Sequence, residues 1–190
     1  SSSSQGFIAL PKPGSTSIYY LFIADDLNGT FTPDPPLTYS EIDMTLDGGL
    51  GDVTANKNVE LISSTCEKVT ATRHANGTDY WVLGHHGDND EFHAFLVSSA
   101  GVSLTPVVSA VGNDVSGSIF NRAGCIKISP NRDKVIICHT QQNLMQLCDV
   151  DAATCQVSNP VTKNLGSVTH GPYGAEFSTN GDLLYITSYP

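Results

Sequence analysis

The chain has 190 residues, 39% hydrophobic and 15% charged, and 9 Lys and Arg set against 19 Asp and Glu give a formal charge of −10. That length is enough for one domain with a sizeable core, and the composition does not suit a disordered chain. A surface this acidic repels phosphate backbones and anionic lipid, which argues against nucleic acid and membrane surfaces as partners.

The first residues, Ser1 to Gln5, lack a basic start and an apolar stretch, so they do not read as a signal peptide, and the Ser run reads as a linker end. Residues 18–24 form the longest apolar run, far short of the roughly 20 residues of a spanning helix, so membrane insertion is not expected. A continuous apolar run of this length instead predicts a strand buried on both faces. Further strands are expected near 68–74, 79–86, 91–98 and 105–111, and then near 123–129, 134–140, 144–150 and 154–162. In each, β-branched and aromatic residues are bounded by Gly, Asn, Asp, Pro and Ser clusters. Helical periodicity is nearly absent.

The hairpins repeat. His74-Ala75-Asn76-Gly77 aligns with Ser129-Pro130-Asn131-Arg132 and with Ser178-Thr179-Asn180-Gly181, each followed by an apolar strand; Pro11 to Ser17 is a looser copy. All place a residue tolerant of positive φ in a tight turn. An all-β repeat of about 50 residues is the period of propeller blades. The fold expected is therefore an all-β β-propeller of about three and a half four-stranded blades, near 5–62, 63–112, 113–167 and 168–190. The blades missing from a larger, seven-bladed ring, or another chain, are expected at the exposed strand edges.

Five cysteines occur, at 66, 125, 138, 148 and 155. Cys125 and Cys138 lie symmetrically about one expected turn, as do Cys148 and Cys155 about another, so each pair has the spacing to face across a ladder. The alternative is that all are reduced and buried as small hydrophobes.

The stretch from Tyr173 to Thr187 resembles the G-x-x-F-S-P-D-G-x-x-L-Y-V hairpin of WD40-like and lactonase-like propellers, with Thr179 and Asn180 where Pro and Asp are usual. Asp43 to Val53, followed by Glu67 to Gly77, resembles the propeller region of large exported surface proteins of gliding and related bacteria. Such proteins carry PKD-type repeats and a sorting domain for type IX secretion. The resemblance spans nearly the whole chain and implies an extracellular or cell-surface protein. It offers no active-site residues to carry over.

Two groups of residues are candidates for chemistry. His85, His86, Asp88 and Asp90 fall in one short segment, and imidazoles and carboxylates this close suit calcium or another divalent cation. The competing reading is a solvated loop between two strands. Lys68, Arg122 and His170 lie in segments leading into the innermost strand of a blade, where ligands bind at a propeller axis; otherwise they satisfy buried carbonyls between blades. Nucleophile elbows, Walker loops and dinucleotide fingerprints are missing. The function expected is therefore a non-catalytic binding or scaffold module for a protein or glycan partner, without a cofactor. The rival is a lactonase-like or glycan-cleaving hydrolase with its site at the channel.

Overall fold

The computed structural model describes residues 3–25, 35–166 and 171–188. They are all-β, arranged as successive antiparallel sheets, none of them closed. The first sheet holds β1 (Phe7–Pro11), β2 (Ile18–Ala24), β3 (Leu37–Asp43), β4 (Asp52–Val53) and β5 (Val59–Ile62). The second holds β6 (Thr65–Arg73), β7 (Tyr80–His86), β8 (Glu91–Ser98), β9 (Gly101–Val102) and β10 (Val107–Ala110). The third holds β11 (Ile126–Ile128), β12 (Lys134–His139), β13 (Leu144–Val150) and β14 (Val157–Asn164), and the fourth β15 (Pro172–Phe177) and β16 (Leu184–Ser188).

Every expected strand is present within a few residues, but the expected count of four per sheet holds only for the third. In the first sheet β4 and β5 both pair β3, because Thr54 and Asn56 bond Glu41 and push the chain out of the ladder between them. In the second sheet β9 and β10 both pair β8; a turn at Ser103, whose hydroxyl bonds the Thr105 carbonyl, separates them.

The sheets stack through alternate faces of their strands, and this is what the period-two apolar pattern encodes. Tyr20, Phe22 and Leu37 of the first sheet meet Val69, Val82, Phe95 and Val97 of the second. Trp81, Leu83 and Phe92 point the other way, onto Ile126, Val135, Ile137 and Val150 of the third. Ile136 and Cys138 then face Ala175 and Phe177 of the fourth. β7 and β12 are thus apolar on both faces because each lies between two neighbours. Each fully buried Phe or Leu in these layers contributes about 2–3 kcal/mol. Among the described residues the outer strand β14 pairs only β13, and it carries Pro160 and Lys163, residues that discourage further pairing.

Three hairpins share one hydrogen-bond pattern. His74 N–H donates to Asp79 O, Ser129 N–H to Lys134 O and Ser178 N–H to Leu183 O, at 2.9, 2.8 and 2.9 Å. Within each turn the fourth residue donates back to the first: Gly77 to His74, Arg132 to Ser129, Gly181 to Ser178. Those donors have φ of 78°, 64° and 78°. The sequence alignment therefore corresponds to a shared backbone conformation. The looser copy also has Gly14 at φ 77°, with one extra residue in its turn.

Only the middle turn forces a side chain into the left-handed region, where a non-Gly residue costs roughly 1–2 kcal/mol. Arg132 recovers part of this through a 3.4 Å bond from Nη1 to His74 O. Arg132→Gly should accordingly raise stability by about 0.5–1 kcal/mol, measured by urea denaturation; a loss of stability would show that the Arg132 contact outweighs the strain.

Candidate functional site

The candidate residues gather where the starts of β6 and β11 meet the ends of β7 and β12. β6 supplies Cys66, Glu67 and Lys68, the end of β7 supplies His85 and His86, and the end of β12 supplies Cys138 and His139. A short helical turn over Ile119–Arg122 brings in Arg122, with Ser118 as its cap.

Lys68 is fully buried. Its ammonium leaves the second sheet and donates to Cys138 O at 2.7 Å and Ala123 O at 3.3 Å, both outside that sheet. Burial holds its pKa below the usual lysine value, opposed by the nearby Cys66, Cys125, Cys138 and Glu67. Arg122 does the same in the other direction. Its Nε donates to Gly87 O at 2.9 Å and its Nη2 to Asp88 Oδ1 at 2.6 Å. Gly87 permits that approach, because a Cβ there would lie 2.9 Å from Arg122 Nε and 2.7 Å from Ser64 Oγ. Lys68 and Arg122 thus hold backbone carbonyls between sheets. His170, the third residue of that group, lies outside the described residues.

The structure does not bring His85, His86, Asp88 and Asp90 together as a ligand set. His85 is fully buried, its Nδ1 2.8 Å from His86 O, its ring edge-on to Phe92 and 5.7 Å from His139. His86 Nδ1 accepts the Asp88 N–H at 3.1 Å, the Asp88 carboxylate is taken by Arg122, and Asp90 gives its carbonyl to Gly112 N–H. Among the described residues no three His, Cys, Asp or Glu side chains are grouped to hold a metal ion. His93 pairs with Glu91 at 3.0 Å, and His74 stacks on Trp81 at the opposite, hairpin end of the sheet.

The residues before β1 are tied into the sheets; of the Ser run expected as a linker end, Ser4 bonds β6 and Gly124, and Ser1 and Ser2 lie outside the described residues. Gln5 N–H donates to Glu67 O and Val69 N–H to Gln5 O, a parallel bridge to β6 at Lys68. The Gln5 side chain then spans two sheets: Nε2 donates to Val69 O and Ile126 O, and Oε1 accepts from Ile126 N–H, each at 3.0 Å. Ser4 Oγ adds bonds with Glu67 Oε2 and Gly124 N–H. Nothing in a Ser-rich start followed by one Gln signals this, since its partners are backbone groups 64 and 121 residues away.

All five cysteines are free and buried. Cys125 and Cys138 do face each other across the ladder, with Cys138 N–H donating to Cys125 O at 2.8 Å. Cys148 and Cys155 do not. Val150 pairs Val157, and Asp151 Oδ1 caps Ala153 and Thr154 N–H, so Cys155 sits inside a wide loop while Cys148 lies opposite Val135.

A second feature lies on the far side of the first sheet. Leu21 and Ile23 point away from the second sheet and, with Phe7 and Ser3 to Gly6, line a groove of about 700 Å³. Phe7 is 73% exposed beside it.

No family profile and no curated protein matches the chain. Solved structures that it is similar to include a "putative 6-phosphogluconolactonase" from Bacteroides uniformis ATCC 8492, with 10% identity and a TM-score of 0.46. That comparison covers 98% of this chain and 64% of the other, so the chain spans just under two thirds of that protein. A "putative 6-phosphogluconolactonase" from Bacteroides fragilis NCTC 9343 matches with 10% identity and a TM-score of 0.43, over 98% of this chain and 74% of the other.

Two outcomes follow from the buried groups. Burial lowers the pKa of His85 to about 3 and that of His139 well below the ordinary value, whereas both titrate near 6.5 when unfolded. The unfolded chain therefore binds more protons below about pH 6.5, and stability falls as the pH drops through that value. The slope approaches ~1.4 kcal/mol per pH unit for each histidine. Denaturation between pH 7 and 5 should show this slope, and His85→Gln should flatten it by about half. Gln5→Ala should cost about 2–3 kcal/mol in the same assay, because it strands the Ile126 N–H and two carbonyls.

Proposed function

We propose that the chain is a β-propeller portion of an exported surface protein, acting as a non-catalytic scaffold that binds a protein partner through its first sheet. Three features support the propeller. Consecutive sheets stack face to face in chain order, their first strands β1, β6, β11 and β15 pack as neighbours, and three of them open on the same hairpin. In this reading the four sheets are successive blades, the last represented by two strands.

The observation that carries the binding function is the two-faced character of β2. Tyr20 and Phe22 are buried against the second sheet, while Leu21 and Ile23 line the outward groove beside exposed Phe7. β7 and β12 have the same pattern, and both of their faces are covered. The first sheet therefore offers the surface on which another apolar sheet or segment would sit. At the other end, Leu183 and Tyr185 are 58% and 59% exposed. Further blades or another chain are the natural occupants of these surfaces. An apolar groove favours a protein over a glycan. Placement outside the cell and type IX export rest on the resemblance of residues 43–53 and 67–77.

The test pairs binding with catalysis. Peptides selected from a random display library on the purified chain should lose at least tenfold in affinity for Leu21→Asp and Phe7→Asp variants whose melting temperatures are unchanged. 6-Phosphogluconolactone and a panel of glycans should be left intact. Turnover of either that His86→Ala abolishes would replace the scaffold with the hydrolase.

A further inference from the structure

We propose that Cys125 and Cys138 are a redox site, a cross-strand thiol pair converted to one disulfide by a low-molecular-weight disulfide and reopened by thiols. This inference is independent of the propeller's partner. It rests on where the two sulfurs are held.

The β11–β12 ladder pairs Ile126 with Ile137, and the Cys138 N–H to Cys125 O bond extends it by one rung, so the two cysteines are directly opposed. Opposed residues of this hydrogen-bonded kind have Cα atoms about 5.5 Å apart, inside the roughly 4.4–6.8 Å that a disulfide spans. Both side chains lie on the sheet face that packs against Ala175 and Phe177. The interaction of the two thiols holds the pKa of Cys125 below the ordinary thiol value and that of Cys138 above it.

Two neighbours fix this arrangement. Gly124, at φ 131°, lets the chain pass so close to β12 that a Cβ would lie 2.1 Å from Cys138 O. The Lys68 ammonium is bonded to that same carbonyl, and its charge favours the thiolate form of both cysteines. The other cysteines lack such a partner: Cys66 contacts His85 and His86 O, and Cys148 and Cys155 are out of register.

The chemistry is ordinary exchange. The Cys125 thiolate attacks one sulfur of the small disulfide, whose S–S bond breaks and whose other sulfur leaves as a thiolate. The Cys138 thiolate then attacks the Cys125 sulfur of the mixed disulfide and expels the second small thiolate. The two cysteine protons end on the two released thiols, and the pair gives up the two electrons that reduce the small disulfide. The bridge closes the loop of the β11–β12 hairpin, the part of the third sheet that Gln5 and Lys68 hold.

Reduced, denatured protein refolded in a glutathione redox buffer, acid-quenched and alkylated with N-ethylmaleimide should show one bridge, Cys125 to Cys138. Cys66, Cys148 and Cys155 should be alkylated. Cleavage after Lys127 and Leu144 isolates the two linked peptides. The oxidised form should melt roughly 6–12 °C above the reduced form. Cys125→Ala/Cys138→Ala should lose that difference, and Cys148→Ala should keep it. Five alkylated cysteines, or a bridge to any other partner, would overturn the assignment; the mapping uses the unaltered chain, so it does not depend on a variant folding.

Discussion

The side-chain amide of Gln5, lodged between β6 and β11, meets a constraint that the whole arrangement imposes. Strands in different sheets pack side by side here, yet each ladder belongs to its own sheet. The backbone groups on the inner edges of β6 and β11 therefore lack a strand to pair with, and burying them unpaired costs 1–3 kcal/mol apiece. A primary amide has a donor and an acceptor on one short arm, and so can serve Ile126 N–H and O together while its second donor hydrogen reaches Val69 O. Lys68 and Arg122 solve the same problem for carbonyls at strand and loop ends, using cations because only acceptors need a partner there.

Seen this way, charge near the inner strands has a structural cause. Lys68 is buried with its ammonium on Cys138 O and Ala123 O, the second of which also accepts from Thr140 N–H, and the glycine at 124 leaves room beside the ammonium. Arg122 is anchored at both Gly87 O and Asp88, so the loop after β7 is shaped by a cationic side chain. Of the four residues read as a cation site from their spacing, His85 turns inward, His86 takes a turn amide and Asp88 bonds Arg122, so these side chains do not converge. Density of ligating residue types along a chain does not give convergence when successive side chains of a strand leave on opposite faces.

What the sequence made legible is what local rules determine. Turn residues with positive φ, period-two apolar alternation and strand lengths are decided within ten residues, and all three recur in the hairpins at 74–81, 129–136 and 178–185. The same reasoning placed Cys125 opposite Cys138, because a short turn transmits register faithfully. It misplaced Cys155, because Asp151 caps two amides and widens its turn, which shifts the ladder. Gln5 lay beyond reach for a different reason: its value depends on backbone positions supplied by two other sheets.

The first and last sheets differ from the middle two in one respect, and that difference bears on function. A sheet with a covered neighbour on each side uses both faces of its strands for cohesion, as Trp81 and Val82 do in opposite directions. The outward residues of β2 are of the same kind, aromatic and aliphatic, and not the Ser, Thr and Lys with which β14 faces solvent. Sequence chemistry on that face therefore matches the requirements of an interior. A partner that satisfied it would have to offer apolar side chains at sheet spacing while leaving Gln5 and its bonds in place, because the segment that locks the sheets together also forms one wall of the groove. Binding there would consequently bear on the stability of the inner strands as well as on the surface itself.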